Sequence, residues 1–220
     1  MTSGPPAPND LARRLRLIVI TDRALAGSRN VADIVGAALR AGAPAVQLRE
    51  KSLPPRETLR LARRLRADTE AAGSLFFVND NVDLALAVGA DGVHLGPGDL
   101  PVAAARRITP PDFLIGYSAD DVAVARAAVA DGANYIGCGT VFPTRTKPDA
   151  GTTIGLDGLA AVVRGAGAPV VGIGGITAQR ARHAFGTGAV GCAVVSAVMA
   201  HPDPARAAEE LLRAASEAPE

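Results

Sequence analysis

The chain has 220 residues, with 23 basic against 22 acidic side chains, a formal net charge of +1 and 48% apolar content. That length suits one large domain or two small ones, with ample chain for a buried core, and the near-neutral balance argues against the basic excess of bulk nucleic-acid binders. Aromatic residues amount to 3% with no Trp, which removes base-stacking platforms and leaves Ala, Val, Leu and Ile to build the core.

Residues 2–9 are rich in Pro, Gly and Ser, so residues 1–15 are expected to form a flexible extension, with Asp10 capping a short helix that ends near Arg14. The apolar run Leu17-Ile18-Val19-Ile20 is too short for the core of an export signal. No stretch approaches the ~20 uninterrupted apolar residues of a membrane span, so a cytoplasmic location without membrane association is expected. From residue 16 onward one pattern recurs: a short β-branched run, a turn, then an Ala-rich helix. Strands are predicted to begin near Leu17, Ala45, Leu75, Gly92, Leu114, Tyr135, Val170 and Val190. These runs lack clean apolar/polar alternation, as strands covered on both faces do in a parallel sheet under helices.

The intervening segments carry helical periodicity. Leu59, Ala62 and Leu65 share one face, and the arginines within 56–66 form a solvated one. Leu211, Leu212 and Ala215 repeat the pattern in the last helix. Gly42 and Gly132, each followed by Ala, supply helix C-termini and tight turns. Eight such units predict an α/β fold, a single (β/α)8 TIM barrel over residues 16–220. A doubly wound sheet is the alternative, but it calls for fewer strands and a Gly-rich first turn, whereas the first turn here is Thr21-Asp22-Arg23.

In such a barrel the chemistry converges at the C-terminal ends of the strands. After strand 2 come Gln47, Arg49 and Lys51, placed on one side by alternation. Asn79 and Asp80 follow strand 3; His94 lies in strand 4 with Asp99 beyond it; Ser118 ends strand 5. A polar loop over 139–147 follows strand 6, Gly174-Gly175 with Thr177 follows strand 7, and Val195-Ser196 ends strand 8. Only two of the 23 basic residues are Lys, and both, Lys51 and Lys147, fall at this mouth. Cations, hydroxyls and glycine amides suit phosphate, and two carboxylates on neighbouring strands suit a hard cation such as Mg²⁺. A metal-bound polyphosphate is therefore expected at strands 2 to 6, and a second phosphate at strands 7 and 8.

Each of these residues has a structural counter-reading. Asp80 is also placed to cap a helix from Asn81, Asp99 one near Pro101, and Ser118 one from Asp120. Gly174-Gly175 also suits a plain tight turn, and His94 is read as a satisfied core histidine rather than a proton shuttle. His183 and His201 are read as helix-surface residues. Cys138 and Cys192 are read as buried free thiols, without a paired His that would make either a nucleophile. No Ser-His-Asp set emerges, so the site is expected to bind and neutralise charge.

The segments LIVITDR (17–23), VQLREK (46–51), FVND (77–80), DGVHLGPGDLP (91–101), IGYS (115–118), FPTRTKPDAG (142–151), GIGGIT (172–177) and VVSAV (194–198) resemble those of the thiamine phosphate synthase family, in family order and over nearly the whole chain. The resemblance implies condensation of a hydroxymethylpyrimidine pyrophosphate with a hydroxyethylthiazole phosphate. It further implies that Gln47, Leu48, Arg49, Glu50, Lys51, Asn79, Ser118 and Lys147 hold the pyrimidine pyrophosphate. Of these, Arg49, Lys51, Ser118 and Lys147 would be catalytic. Asp80 and Asp99 would hold one Mg²⁺. Thr144, Arg145, Thr146, Gly174, Gly175, Val195 and Ser196 would hold the thiazole phosphate. The expected partners are small phosphorylated molecules, with no nucleic acid, membrane or obligate protein partner. Tyr117 and Asp120, which flank the expected pyrophosphate region around Ser118, depart from the family pattern. The alternatives are a thiazole tautomerase-like paralogue, which shares the barrel and much of the motif series, and a non-catalytic phosphate-binding barrel. The residues Ser118-Ala119-Asp120, with no His after strand 5, favour the synthase over the first, and the Asp pair favours it over the second.

Overall fold

The computed structural model describes residues 8–144, 146 and 152–216. Eight parallel strands close into a barrel in sequence order: β1 (Leu17–Ile20), β2 (Ala45–Leu48), β3 (Leu75–Asn79), β4 (Gly92–Leu95), β5 (Leu114–Ser118), β6 (Tyr135–Cys138), β7 (Val170–Ile173) and β8 (Gly191–Val194). The last strand begins one residue after the predicted Val190. Around them lie α1 (Pro8–Arg14), α2 (Arg23–Ala26), α3 (Val31–Arg40), α4 (Pro55–Ala71), α5 (Val82–Ala87), α6 (Val102–Ile108), α7 (Val122–Ala130), α8 (Gly155–Gly165), α9 (Ala178–Phe185), α10 (Ser196–Met199) and α11 (Pro204–Ser216). No described helix is long and apolar enough to cross a membrane.

The pleat separates two apolar populations. Leu17, Val19, Val46, Leu48, Phe76 and Val78 face outward and pack with the helices, whereas Ile18, Ile20, Ala45, Leu75 and Phe77 fill the barrel. The strands are therefore covered on both sides along most of their length and partly exposed only at positions such as Asn79, His94, Tyr117, Ser118 and Ile173, which is why the sequence shows apolar runs instead of alternation. The α3-to-β2 connection closes as predicted at Gly42. Its φ of 91° lets the Gly42 N–H donate to Leu39 O (2.9 Å) and the Ala43 N–H to Ala38 O (3.0 Å).

Two local expectations are corrected. Asp10 lies inside the first turn of α1 and pairs with Arg13 at 3.0 Å, so it serves the helix dipole rather than the cap. His201 lies between α10 and α11, with its Nδ1 2.6 Å from Asp203 O, so it is a turn residue and not a helix-surface one. His183 is on exposed α9 surface as read. The bottom of the barrel is plugged by Leu11 and Leu15, both of which join the interior apolar cluster.

Candidate active site

Arg49 and Lys51 follow β2 in an extended segment that rises from the buried Gln47, 3% exposed. Thr21, just beyond β1, fixes this segment through its Oγ1, which donates to Arg49 O (3.0 Å) and accepts from Arg49 N–H (2.9 Å). Asp22 caps α2 through Leu25 N–H and lies 3.5 Å from an Arg49 Nη. The sequence marks these two residues only as the first turn and as part of the segment LIVITDR, with no role for either. Their position directly after a strand was the available signal.

The residues that alternate with Gln47, Arg49 and Lys51 face the other way. Leu48 is 2% exposed in the outer core, so only its backbone reaches the mouth. Glu50 accepts from Arg23 Nε (2.8 Å), Ser52 Oγ (2.7 Å) and Ser52 N–H (2.9 Å), which engages its carboxylate in holding the loop. Burial, the largest influence, raises its pKa, but the bonds from Ser52 and Arg23 outweigh it and leave the carboxyl below its ordinary value.

Asp80 has a φ of 64°, the one left-handed non-glycine conformation among the described residues. That geometry costs about 1 kcal/mol for an L-residue and draws attention to the site. It lets the Asp80 N–H donate to His94 O (2.9 Å) while the carboxylate receives Lys51 Nζ at 2.5 Å. Asp80 does not cap α5, because Asn81 does so by accepting from Leu84 N–H at 2.7 Å. Nor does Asp99 cap α6, which starts after Pro101 with no side-chain cap. The Asp99 carboxylate instead accepts from Gly96 N–H (2.7 Å) and lies against Asp80. Its pKa is raised, by burial first and then by the hydrogen-bonding contact and repulsion of Asp80, against the lowering pull of Gly96 and Lys51. Two carboxylates in contact, with one lysine beside them, form a donor set whose repulsion a hard divalent cation would relieve. Among the described residues no cluster of three or more His, Cys, Asp or Glu offers an alternative metal site.

Ser118 ends β5 and is no cap either, since α7 is capped by Asp121 through Ala123 N–H (2.8 Å). Its Oγ lies 2.9 Å from His94 Nε2, and His94 Nδ1 lies 3.0 Å from the Tyr135 hydroxyl. His94 is thus satisfied, as read, but by site residues of the barrel interior; the sequence marks Tyr135 only as a strand start, because its role depends on a neighbour 41 residues away. Asn79 pairs in register with His94 at the same level. Tyr117 packs against the outer apolar cluster and so points away from the mouth.

On the opposite rim, Thr146 Oγ1 is 3.2 Å from Thr144 Oγ1 and 3.4 Å from Ser196 Oγ, which brings the loop after β6 to the end of β8. Val195 is half-buried beneath them, touching both apolar clusters. Gly174 and Gly175 have φ of 99° and 62°, and a Cβ on them would stand 2.8 Å from Thr140 Cα and 2.7 Å from Phe142 O. Only glycine fits this turn. The turn is zipped to the β6 loop by Val141 N–H to Ile173 O (2.9 Å) and Phe142 N–H to Gly174 O (3.0 Å). Arg180 of α9 ties it down, donating to Gly175 O (2.9 Å) with its guanidinium 5.1 Å from the Phe142 ring centroid. Arg145 and Lys147 lie outside the described residues. Cys138 and Cys192 are buried thiols, both pushed up to about 12 by burial, with Asp120 adding to the first. Neither is a nucleophile at neutral pH.

A closed (β/α)8 barrel whose described strand ends gather cations, a carboxylate pair, hydroxyls and a two-glycine turn has the layout of a barrel enzyme. The family described as thiamine monophosphate synthase matches residues 17–198. The chain is 48% identical over 199 residues to the thiamine-phosphate synthase of Roseiflexus castenholzii, across 90% of this chain and 87% of that one. It is 46% identical over 208 residues to that of Pyrococcus furiosus, across 94% and 98%. The solved thiamine phosphate pyrophosphorylase from Pyrococcus furiosus superposes with a TM-score of 0.88 at 44% identity, covering 96% of this chain and 100% of that one. A 3-hexulose-6-phosphate synthase shares the fold, with a TM-score of 0.69 at 21% identity. The chain belongs to the thiamine monophosphate synthase family and is an enzyme, a transferase.

Proposed function

We propose that the protein condenses 4-amino-2-methyl-5-hydroxymethylpyrimidine pyrophosphate with 4-methyl-5-hydroxyethylthiazole phosphate, giving thiamine phosphate and pyrophosphate. The observation that carries this reading is the contact of Lys51, Asp80 and Asp99 at the ends of neighbouring strands, across the barrel mouth from the hydroxyls of Thr144, Thr146 and Ser196. On this reading the first cluster would take a metal-bound pyrophosphate and the second a phosphate. Asp80 and Asp99 would hold Mg²⁺, which when bound neutralises charge on the departing pyrophosphate.

Arg49, Lys51 and Ser118 then stabilise the negative charge that develops as the carbon–oxygen bond breaks and pyrophosphate leaves with its electron pair. Lys147 joins them by family resemblance. The electron-rich aminopyrimidine stabilises the resulting methylene cation, and the thiazole nitrogen lone pair forms the new carbon–nitrogen bond. Thr144, Arg145, Thr146, Ser196 and the Gly174-Gly175 amides hold the thiazole phosphate so that this nitrogen faces the cation. No protein nucleophile is required, which agrees with two buried, protonated thiols.

The test is to incubate the purified protein with both substrates and Mg²⁺. Thiamine phosphate and pyrophosphate should appear in equal amounts; no product with the metal present would overturn the reading. Asp80→Asn, chosen because Asn tolerates the left-handed backbone, and Asp99→Ala should each cut the rate about 100-fold and raise the Mg²⁺ requirement. An unchanged metal requirement in both variants would remove the pair from the metal site.

A further inference from the structure

Ser118, His94 and Tyr135 form a line of hydrogen bonds that descends from the mouth into the apolar interior of the barrel. Tyr135 is fully buried, in the same apolar cluster as Leu75, Leu114 and Val171, with its ring edge-on to Phe77 at 5.5 Å. Burial pushes its hydroxyl pKa far up, so it is a neutral phenol whose O–H needs an acceptor. His94 Nδ1, 3.0 Å away, is that acceptor. A neutral imidazole carries one donor and one acceptor, so a Nδ1 that accepts leaves the proton on Nε2. Nε2–H then donates to Ser118 Oγ at 2.9 Å, occupies an oxygen lone pair, and leaves the serine hydrogen free for the mouth.

The opposite polarity turns the serine hydrogen onto the imidazole and strands the phenol O–H among apolar neighbours, at a cost the first arrangement avoids. Space is cut for these two rings. A Cβ on Gly116 would stand 2.2 Å from the Tyr135 ring, and one on Gly137 would stand 2.8 Å from His94 Cε1. Glycine at these strand positions lets both rings occupy the barrel interior at hydrogen-bonding distance.

We propose that Tyr135 is a positioning residue acting through His94, holding the imidazole as the Nε2–H tautomer so that Ser118 presents its O–H outward as a donor to the departing pyrophosphate. The proposal rests on the condensation reading only for the identity of that anion. The tautomer is readable in the protein alone. The chain has three histidines, so ¹⁵N spectra of the full-length protein at about pH 8, where an ordinary imidazole is neutral, can be assigned with His183→Gln and His201→Gln. His94 should show a protonated Nε2 and an unprotonated Nδ1.

Tyr135→Phe keeps the ring and removes only the hydroxyl. It should shift His94 to a mixture of tautomers and lower kcat about tenfold, the weight of one hydrogen bond, with the KM for thiazole phosphate unchanged. In a Ser118→Ala background the same substitution should have no further effect on kcat. A wild-type His94 protonated at Nδ1, an unaltered tautomer in Tyr135→Phe, or losses that add fully in the double variant would each overturn the proposal. Absence of any thiamine phosphate from the wild-type protein would overturn the functional reading alone, and the nitrogen spectra would still decide the tautomer.

Discussion

Arg49, Glu50 and Lys51 are three adjacent charges with divided labour. Strand alternation, legible in the sequence, sends Arg49 and Lys51 toward the mouth and turns Glu50 into the wall, where its carboxylate collects Arg23, Ser52 and the backbone of Leu53. Replacing that charge should cost stability rather than chemistry. Glu50→Gln is expected to lose about 2 kcal/mol at neutral pH, measured by urea unfolding. Because the folded pKa is lowered, the stabilisation is complete above the ordinary glutamate value and is lost as pH falls through the folded one. The gap between wild type and Glu50→Gln should therefore narrow as the pH is taken below the ordinary glutamate value, and a gap constant over the range would contradict this assignment. The same residue scale holds a feature the sequence does not show. The φ of 64° at Asp80 results from a strand end that must bond to His94 O and still offer its carboxylate to Lys51.

Among the secondary elements, the strands were legible and the roles of the residues just after them were not. Asp80, Asp99 and Ser118 each stand where a helix cap belongs, and local spacing leaves cap and ligand equally open. The structure separates them because neighbours take the caps: Asn81 for α5, Asp121 for α7, and no side chain at all for α6. Helix α9 contributes differently, through Arg180, which holds the Gly174-Gly175 turn from behind while resting on Phe142. Arg180→Ala should loosen that turn and raise the KM for thiazole phosphate about fivefold, while the KM for the pyrimidine substrate stays within about twofold. Arg180→Lys should recover only part of the loss, since an ammonium cannot both stack on the ring and keep the fork geometry. Equal changes in both KM values would show a general loss of the fold instead of a local one.

For the whole molecule, the barrel is completed from below by a segment that composition alone marks as an extension. Leu15 is fully buried, its carbonyl lies where a Cβ on Gly191 would be 1.9 Å away, and Cys192 N–H donates to Arg16 O at 3.1 Å. Leu15→Ala should cost about 3 kcal/mol in denaturant unfolding, as for other fully buried leucines. Its kinetics at temperatures where it remains folded should match wild type, because the plug and the mouth are at opposite ends. A loss below about 0.5 kcal/mol would mean that the plug is not part of the core. What the amino-acid order determined by itself is whatever repeats locally: eight strand-helix units, their starts to within a residue, and the residue types at each strand end. Those follow from periodicity and turn chemistry within a few residues. What only the tertiary structure decided is which of those residues meet: Lys51 with Asp80, His94 with Tyr135 and Ser118, Thr146 with Ser196, at separations of 24 to 50 residues. No local pattern carries such contacts, because they exist only once the sheet closes and its register aligns successive strand ends. The glycines that admit the bulky interior rings are a consequence of that same closure.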